Sequence, residues 1–167
     1  MTKAERRAAL DALALNRILI LDGAMGTQIQ TLKLDEAGYR GERFADWSCL
    51  IQGNNDILNL STPDAVRAIH KQYFDAGADM VETNTFSATL IAQADYKMED
   101  LAAEIASEGA RLAREAADDA EAETGSPKAV LGAIGPTNKT LSLSPNVEDP
   151  GFREVNFDQV RDAYAEQ

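Results

Sequence analysis

The first stretch of this sequence that could do chemistry is an apolar run that ends in an acid and small residues. The run Ile18–Asp22 is followed directly by Gly23 and Ala24. An apolar run of this length bounded by glycine is typical of a buried parallel strand, and the carboxyl ends of such strands usually form the ligand-binding edge of a sheet. A carboxylate there can bind an ammonium group, and nearby backbone N–H groups can bind a carboxylate. The pattern predicts a site for an amino acid.

Two later stretches end in the same manner. Residues 79–86 are predicted to form a second strand that ends in hydroxyl and amide side chains, and residues 129–134 a third strand that is followed by Thr137 and Asn138. If the three strands are neighbours, these polar groups converge around one mouth. The predicted substrate-binding residues are Asp22, Gly23, Ala24, Thr83, Asn84 and Thr85.

These residues also have structural explanations. Asp22 could cap a helix that begins at Ala24, and β-propensity with turn chemistry accounts for much of the Thr83–Thr85 run. The glycines between Gly23 and Thr27 could instead cradle a phosphate. Glu82 is equally open to a functional and a structural role.

Two further residues are expected to be structural. His70 is expected on the surface or in helix packing. Cys49 has no second cysteine or nearby histidine to support a metal site or a nucleophile. No metal ligand and no catalytic residue is therefore predicted.

The elements that must position these groups alternate between strand and helix. Helices are predicted over residues 3–15, briefly after Gly26, over 63–76, 87–95 and 98–123, and from Phe157 onward. Residues 35–59 lack a sustained period and are predicted to be a long loop insertion.

This order fits both a (β/α)8 barrel and an open doubly wound sheet, and the small polar residues at each strand end favour the barrel. The predicted fold is an α/β single domain over residues 1–167: a partial (β/α)8 TIM barrel with roughly the first three strand–helix units plus an N-terminal helix. Such a sheet leaves two open edges, which predicts self-association or pairing with the missing half of a barrel.

Composition restricts the class of protein. The 167 residues carry 28 acidic and 16 basic side chains, a formal charge of −12, which disfavours nucleic acid as a partner. No apolar stretch approaches the roughly 18 residues that cross a bilayer, so no membrane association is expected. The single cysteine, Cys49, excludes an internal disulfide and fits a reducing cytoplasm.

Taken together, six blocks of the sequence resemble the homocysteine S-methyltransferase family, and within it the N-terminal homocysteine-binding domain of cobalamin-dependent methionine synthases. The segments around Arg43–Trp47 and Ser144–Asn146 resemble methionine synthases more than betaine-dependent relatives. The six blocks are Leu21–Thr27, Arg40–Trp47, Gly53–Asp56, Ala76–Asp79, Glu82–Phe86 and Gly135–Asn138.

The resemblance implies a barrel that binds homocysteine on a zinc ion and transfers a methyl group from methylcobalamin to form methionine. Asp22, Gly23 and Ala24 would hold the amino and carboxylate groups, with Thr83–Phe86 at the same pocket. The family's zinc ligands are three cysteines, and Cys49 matches none of them.

The chain is therefore interpreted as the N-terminal part of such an enzyme, inactive by itself and without a bound cofactor, and homocysteine binding is expected to be weak or absent without zinc. The alternative is a non-catalytic partial-barrel module that self-associates and binds an amino acid or a protein partner.

Overall fold

The computed structural model describes residues 1–167, which form an α/β fold with eight α-helices and one small parallel sheet. Three further segments, Asn55–Ile57, Ala94–Tyr96 and Glu99–Leu101, are 3-10 helices. The α-helices are α1 (Lys3–Ala14), α2 (Met25–Thr31), α3 (Glu36–Arg40), α4 (Leu58–Ser61), α5 (Pro63–Asp75), α6 (Leu90–Gln93), α7 (Ala102–Thr124) and α8 (Phe157–Glu166). The strands are β1 (Met80–Glu82) and β2 (Ala129–Leu131).

The three stretches predicted as strands are neighbours in space. β1 and β2 are parallel, with Val81 opposite Val130, and Leu21 forms an isolated parallel bridge to Met80 on the other side of β1. The N–H of Asp22 donates to the carbonyl of Met80 at 2.9 Å. The carboxyl ends of all three stretches consequently meet at one edge, as the sequence predicted.

An ion pair between a part-exposed arginine and a buried carboxylate holds the first stretch against β1. The guanidinium of Arg17 donates to both carboxylate oxygens of Asp79 at 2.6 and 2.7 Å, and the N–H of Ile20 donates to the same carboxylate at 2.9 Å. The carboxylate of Asp79 is buried, and its bonds with Arg17 lower its pKa. These contacts fix the chain just before Asp22 and thereby set the position of that acid.

The predicted strands are shorter than expected. Only Leu21 of the first stretch pairs in the sheet, and Ile18 and Ile20 are 86% and 55% exposed, so the prediction of a buried strand was wrong there. Those side chains lie at a sheet edge that no other element covers. Beyond β2, the N–H of Ala133 donates to the hydroxyl of Thr83 at 2.9 Å. The two chain segments are therefore joined here by a side-chain hydrogen bond and not by backbone pairing.

The long helices follow the sequence signals closely. α5 begins after Thr62 with Pro63 at its first position, where an N–H would have no helical partner in any case. The hydroxyl of Thr62 makes no capping bond, however. α7 ends at Gly125, whose φ of 68° is a left-handed conformation that glycine adopts without strain. α5 packs against α7, whose buried side is rich in alanine.

The segment 35–59 is more ordered than the loop that the sequence predicted. It contains α3 and a 3-10 helix, and it contributes Ile51, Ile57 and Leu58, all fully buried, to the larger of two apolar clusters. The guanidinium of Arg40 donates to three backbone carbonyls of the segment at 2.8–2.9 Å. The apolar residues of this segment show no helix or strand periodicity, because they do not lie on one face of a regular element. They are buried instead by contacts with distant parts of the chain.

His70 lies on the buried side of α5 and not on the surface. Its side chain is fully buried, and neither ring nitrogen has a hydrogen-bond partner. Burial lowers the pKa of His70 to about 4, so the imidazole is neutral at pH 7.

Among the helices of the chain, none combines the length and the hydropathy that a membrane crossing requires.

Candidate functional site

A cleft of about 620 Å³ opens at the carboxyl ends of the strands. Nineteen residues line it, drawn from the strand ends, the start of α2, the turn Gly53–Asp56 and the segment between Phe86 and Tyr96. Five of the six predicted substrate-binding residues lie on its wall; Thr85 does not. Those five are Asp22, Gly23, Ala24, Thr83 and Asn84.

The carboxylate of Asp22 bonds across the sheet and does not cap a helix. Its Oδ1 accepts a hydrogen bond from the N–H of Glu82 at 3.0 Å, whereas the cap position of α2 is Ala24 and carries no side-chain bond. The helix-cap explanation of Asp22 is therefore wrong. Burial, together with the nearby charge of Glu82, raises the pKa of Asp22 to about 6, although the hydrogen bond from Glu82 opposes the shift. Oδ2 of Asp22 accepts no hydrogen bond from the protein.

Thr83 and Thr85 join the ends of β1 and β2. Oγ1 of Thr83 accepts from the N–H of Ala133, and the hydroxyl of Thr85 donates to the carbonyl of Ala133, both at 2.9 Å. The two hydroxyls are 2.6 Å apart. Because the one hydroxyl proton of Thr85 goes to Ala133, Thr83 is the donor between them. Thr85 thus supports the rim of the cleft from behind it.

Asn84 shares a buried network with Asn59. Nδ2 of Asn84 donates to the carbonyl of Asn55 at 2.9 Å and to Oδ1 of Asn59 at 3.0 Å. Nδ2 of Asn59 donates to the carbonyl of Asn84 at 2.7 Å and to that of Ile105 at 3.1 Å. Oδ1 of Asn84 accepts no hydrogen bond from the protein, which leaves an acceptor at the wall of the cleft.

Sequence reasoning missed the turn Gly53–Asp56 as part of the site. Asn54 pairs with the buried amide of Gln93, donating at 2.7 Å and accepting at 3.2 Å. The carboxylate of Asp56 accepts from the N–H of Ser87 at 2.6 Å, and burial raises the pKa of Asp56 to about 6. The signal was the Gly-Asn-Asn-Asp run, because such residues favour turns and side-chain bonds to nearby backbone.

The end of the third strand contributes fewer side chains to the cleft than predicted. Asn138 lines the cleft, and its Nδ2 donates to Oδ2 of Asp95 at 2.7 Å. Thr137 does not line the cleft; its Oγ1 accepts from the N–H of Lys139 at 3.1 Å. The sequence therefore placed one of these two side chains correctly.

The charges of the cleft are of one sign. Four carboxyl groups lie on its wall, and no lysine or arginine does: Asp22, Asp56, Glu82 and Asp95. This arrangement attracts a cationic group and repels a phosphate. The phosphate-cradle interpretation of the Gly23–Thr27 stretch is therefore disfavoured.

The side chains present do not fit a zinc centre. No three histidine, cysteine or carboxylate side chains lie close enough together to hold a metal ion. Sγ of Cys49 donates to the carbonyl of Tyr96 at 3.1 Å, and Nε1 of Trp47 donates to the same carbonyl at 2.9 Å. Cys49 and Trp47 thus fix the Tyr96 wall of the cleft from outside it.

The chain is similar to known proteins of one family. A sequence model of the homocysteine S-methyltransferase family matches residues 19–167. The chain is similar to the oxidized form of the homocysteine methyltransferase MmuM of Escherichia coli, with a TM-score of 0.59 and 26% identity, over 77% of this chain and 41% of that chain. The metallated form of MmuM matches the same shares, with a TM-score of 0.59 and 24% identity.

The chain thus spans about 41% of the length of these solved relatives. The family match, by contrast, extends over most of the chain and includes every residue that lines the cleft. This chain therefore belongs to the homocysteine S-methyltransferase family.

Proposed function

We propose that the cleft holds the amino-acid end of homocysteine and that the chain is the first part of a (β/α)8 barrel of the methionine synthase type. In such an enzyme, the methyl group of methylcobalamin is transferred to homocysteine to give methionine. The observation that carries the proposal is the acid-lined cleft at the strand ends, in a chain of the homocysteine S-methyltransferase family. The single free cysteine, Cys49, supports a reducing compartment such as the cytoplasm.

The groups of the cleft suit both charges of an amino acid. Oδ2 of Asp22 and Oδ1 of Asn84 accept no hydrogen bond from the protein, and both can accept from an ammonium group. Gly23 and Ala24 line the cleft, and their backbone N–H groups donate to no protein acceptor, so they are available to a carboxylate.

Ligand analogues test this assignment. L-homocysteine in large excess should raise the melting temperature of the chain, because even a weakly bound ligand stabilises the folded state if it binds only that state. The analogue 4-mercaptobutanoate, which lacks only the ammonium group, should bind much more weakly. The analogue 3-mercaptopropylamine, which lacks only the carboxylate, should keep part of the affinity. Equal stabilisation by L-homocysteine and 4-mercaptobutanoate would refute the role assigned to the acids.

The sulfur end of the substrate has no activating group in this chain. A free thiol has a pKa of about 8.5, so only a minor fraction is thiolate at neutral pH, and the side chains present do not form a metal site. We therefore propose that the chain alone does not catalyse methyl transfer. The test is to mix the chain with homocysteine, methylcobalamin and zinc. No methionine should form; turnover with stoichiometric bound zinc would overturn the proposal.

A second candidate function is a non-catalytic module that associates with copies of itself. It is favoured by apolar side chains exposed at both edges of the sheet: Ile18 and Ile20 at one edge, and Leu131 and Ile134 at the other. Edges of this kind are templates for pairing with another chain. Size-exclusion chromatography with light scattering tests it, since a monomer at high concentration would exclude this function.

A further inference from the structure

We propose that Asn59 is a positioning residue: it locks the side-chain amide of Asn84 so that only the acceptor atom of that amide, Oδ1, is offered to the cleft. This point of the cleft would then accept a hydrogen-bond donor, such as an ammonium group, and reject a carboxylate. The part of the inference that concerns the ligand rests on the proposed function. The locking itself rests only on the contacts of the two amides.

The carbonyl of Asn55 and the side chain of Asn59 together set the orientation of Asn84. Nδ2 lies 2.9 Å from the carbonyl oxygen of Asn55, and a carbonyl oxygen can only accept, so this contact favours the amide nitrogen at this position. The second N–H of the same group donates to Oδ1 of Asn59 at 3.0 Å. Both donors of Asn84 are thus used inside the protein, and Oδ1 alone is left for a ligand.

Asn59 is itself fixed by two backbone carbonyls. Its Nδ2 donates to the carbonyls of Asn84 and Ile105 at 2.7 and 3.1 Å, so its Oδ1 must lie toward Nδ2 of Asn84. Asn59 is only 1% exposed and does not line the cleft. If its amide were turned over, two carbonyl oxygens would face an oxygen atom without a proton between them. Asn59 therefore has one stable orientation and, together with the carbonyl of Asn55, fixes that of Asn84.

A glycine in α7 provides the space for this pair. A Cβ atom on Gly109 would lie 2.6 Å from both Nδ2 of Asn59 and Cγ2 of Thr85, closer than a Cβ contact can be. Gly109 is buried in the middle of a 23-residue helix, where glycine is otherwise unfavourable. The close approach of Asn59 to α7 explains why glycine stands at position 109. It also explains why α7 contacts the Asn59–Asn84 pair through the carbonyl of Ile105 and not through a side chain at this position.

The consequence is selectivity between the two ends of an amino acid. A free asparagine amide can bind an ammonium with its oxygen or a carboxylate with its nitrogen. With both N–H groups taken, Asn84 retains only the first ability. The carboxylate of Asp22, which bonds to the N–H of Glu82 two residues before Asn84, supplies a second acceptor at the same strand end.

A double-mutant cycle on ligand affinity tests the ligand part of the proposal. Asn59→Leu removes one of the two acceptors that hold Nδ2 of Asn84 and leaves only the carbonyl of Asn55. The amide is then less firmly oriented, so the affinity for L-homocysteine should fall by up to about tenfold, the effect of losing a hydrogen bond to a charged group. The affinity for 4-mercaptobutanoate should stay unchanged or rise. In an Asn84→Ala background, Asn59→Leu should have no further effect, because its influence passes through Asn84. Equal losses in both backgrounds would overturn the proposal.

A second measurement tests the locking without a ligand. In the 15N NMR spectrum, the side-chain NH2 protons of Asn84 should exchange slowly with water, and Asn59→Leu should strongly reduce this protection, because one of the two N–H groups loses its acceptor. The control is Ala117→Gly, a buried substitution elsewhere in α7 that lowers stability without touching the pair. Protection that is unchanged in Asn59→Leu, or that falls equally in the control, would overturn the locking. If the wild-type chain binds no L-homocysteine, the proposed function fails while this measurement still decides the role of Asn59.

Discussion

The buried imidazole of His70 leads to a quantitative prediction about stability and pH. Both ring nitrogens are buried without a hydrogen-bond partner, and burial lowers the pKa from 6.5 to about 4. As the pH falls below the unfolded value, the unfolded chain takes up a proton at this site and the folded chain does not. The contribution to stability is therefore complete above about pH 6.5 and is lost as the pH falls towards 4. Each pKa unit corresponds to about 1.4 kcal/mol, so the total is about 3 kcal/mol.

The test is to compare the wild-type chain with His70→Met by urea unfolding at several values between pH 7.5 and pH 4. At pH 7.5 the variant should be as stable as the wild type or more stable, because it replaces two unpaired buried nitrogens with an apolar side chain. Towards pH 4 the wild type should lose about 3 kcal/mol relative to the variant. Asp22 and Asp56, whose raised pKa values make the fold less stable as the pH rises from 4 to 6, are present in both chains and cancel.

The matched control is Gln72→Met, an exposed change on the same helix, which should follow the wild-type pH curve. Parallel curves for the wild type and His70→Met would refute the reasoning. They would show that the imidazole finds water or a partner in solution and titrates with an ordinary pKa.

Three further predictions concern the cleft and its support. Gly109→Ala should lower the free energy of unfolding by about 1 to 3 kcal/mol in a urea titration, because the added Cβ overlaps Nδ2 of Asn59. This loss should outweigh the better helix propensity of alanine. The control Ser107→Ala, an exposed change on the same helix, should be near neutral. Thr85→Val should cost about 1 to 3 kcal/mol, because the carbonyl of Ala133 loses one of its two side-chain donors and the buried hydroxyl of Thr83 loses its acceptor. It should leave the affinity for L-homocysteine nearly unchanged in calorimetry. Binding of L-homocysteine should tighten as the pH rises through about 6, where Asp22 ionises. Asp22→Asn should weaken binding at pH 7.5 and remove most of this pH dependence. A wild-type affinity that does not change with pH would contradict the role of Asp22.

Much of this molecule is readable from local signals. Pro63 after Thr62 marked the start of α5, and Gly125 marked the end of α7, because proline and glycine act on the backbone at their own positions. The alternation of strand and helix predicted that three strand ends would share one edge. It also predicted that Asp22 and Asn84 would lie there together.

The tertiary structure alone decided which of these residues can meet a ligand. Thr85 carries the same side chain as Thr83, yet it lies behind the cleft, because its hydroxyl is bound to Ala133 of the neighbouring strand end. The run from Ile18 to Leu21 has the composition of a buried strand, but it is exposed because no other element of the chain covers that edge.

The partners of the cleft residues lie far away in the sequence. Asp22 bonds to a residue 60 positions later, Asp56 to one 31 positions later, and Asn84 to one 25 positions earlier. Local sequence determines which backbone conformation each segment prefers, and that preference was read correctly for the long helices. Which polar atoms are consumed inside the protein and which are left for a ligand depends on contacts between distant segments, and these form only when the chain folds.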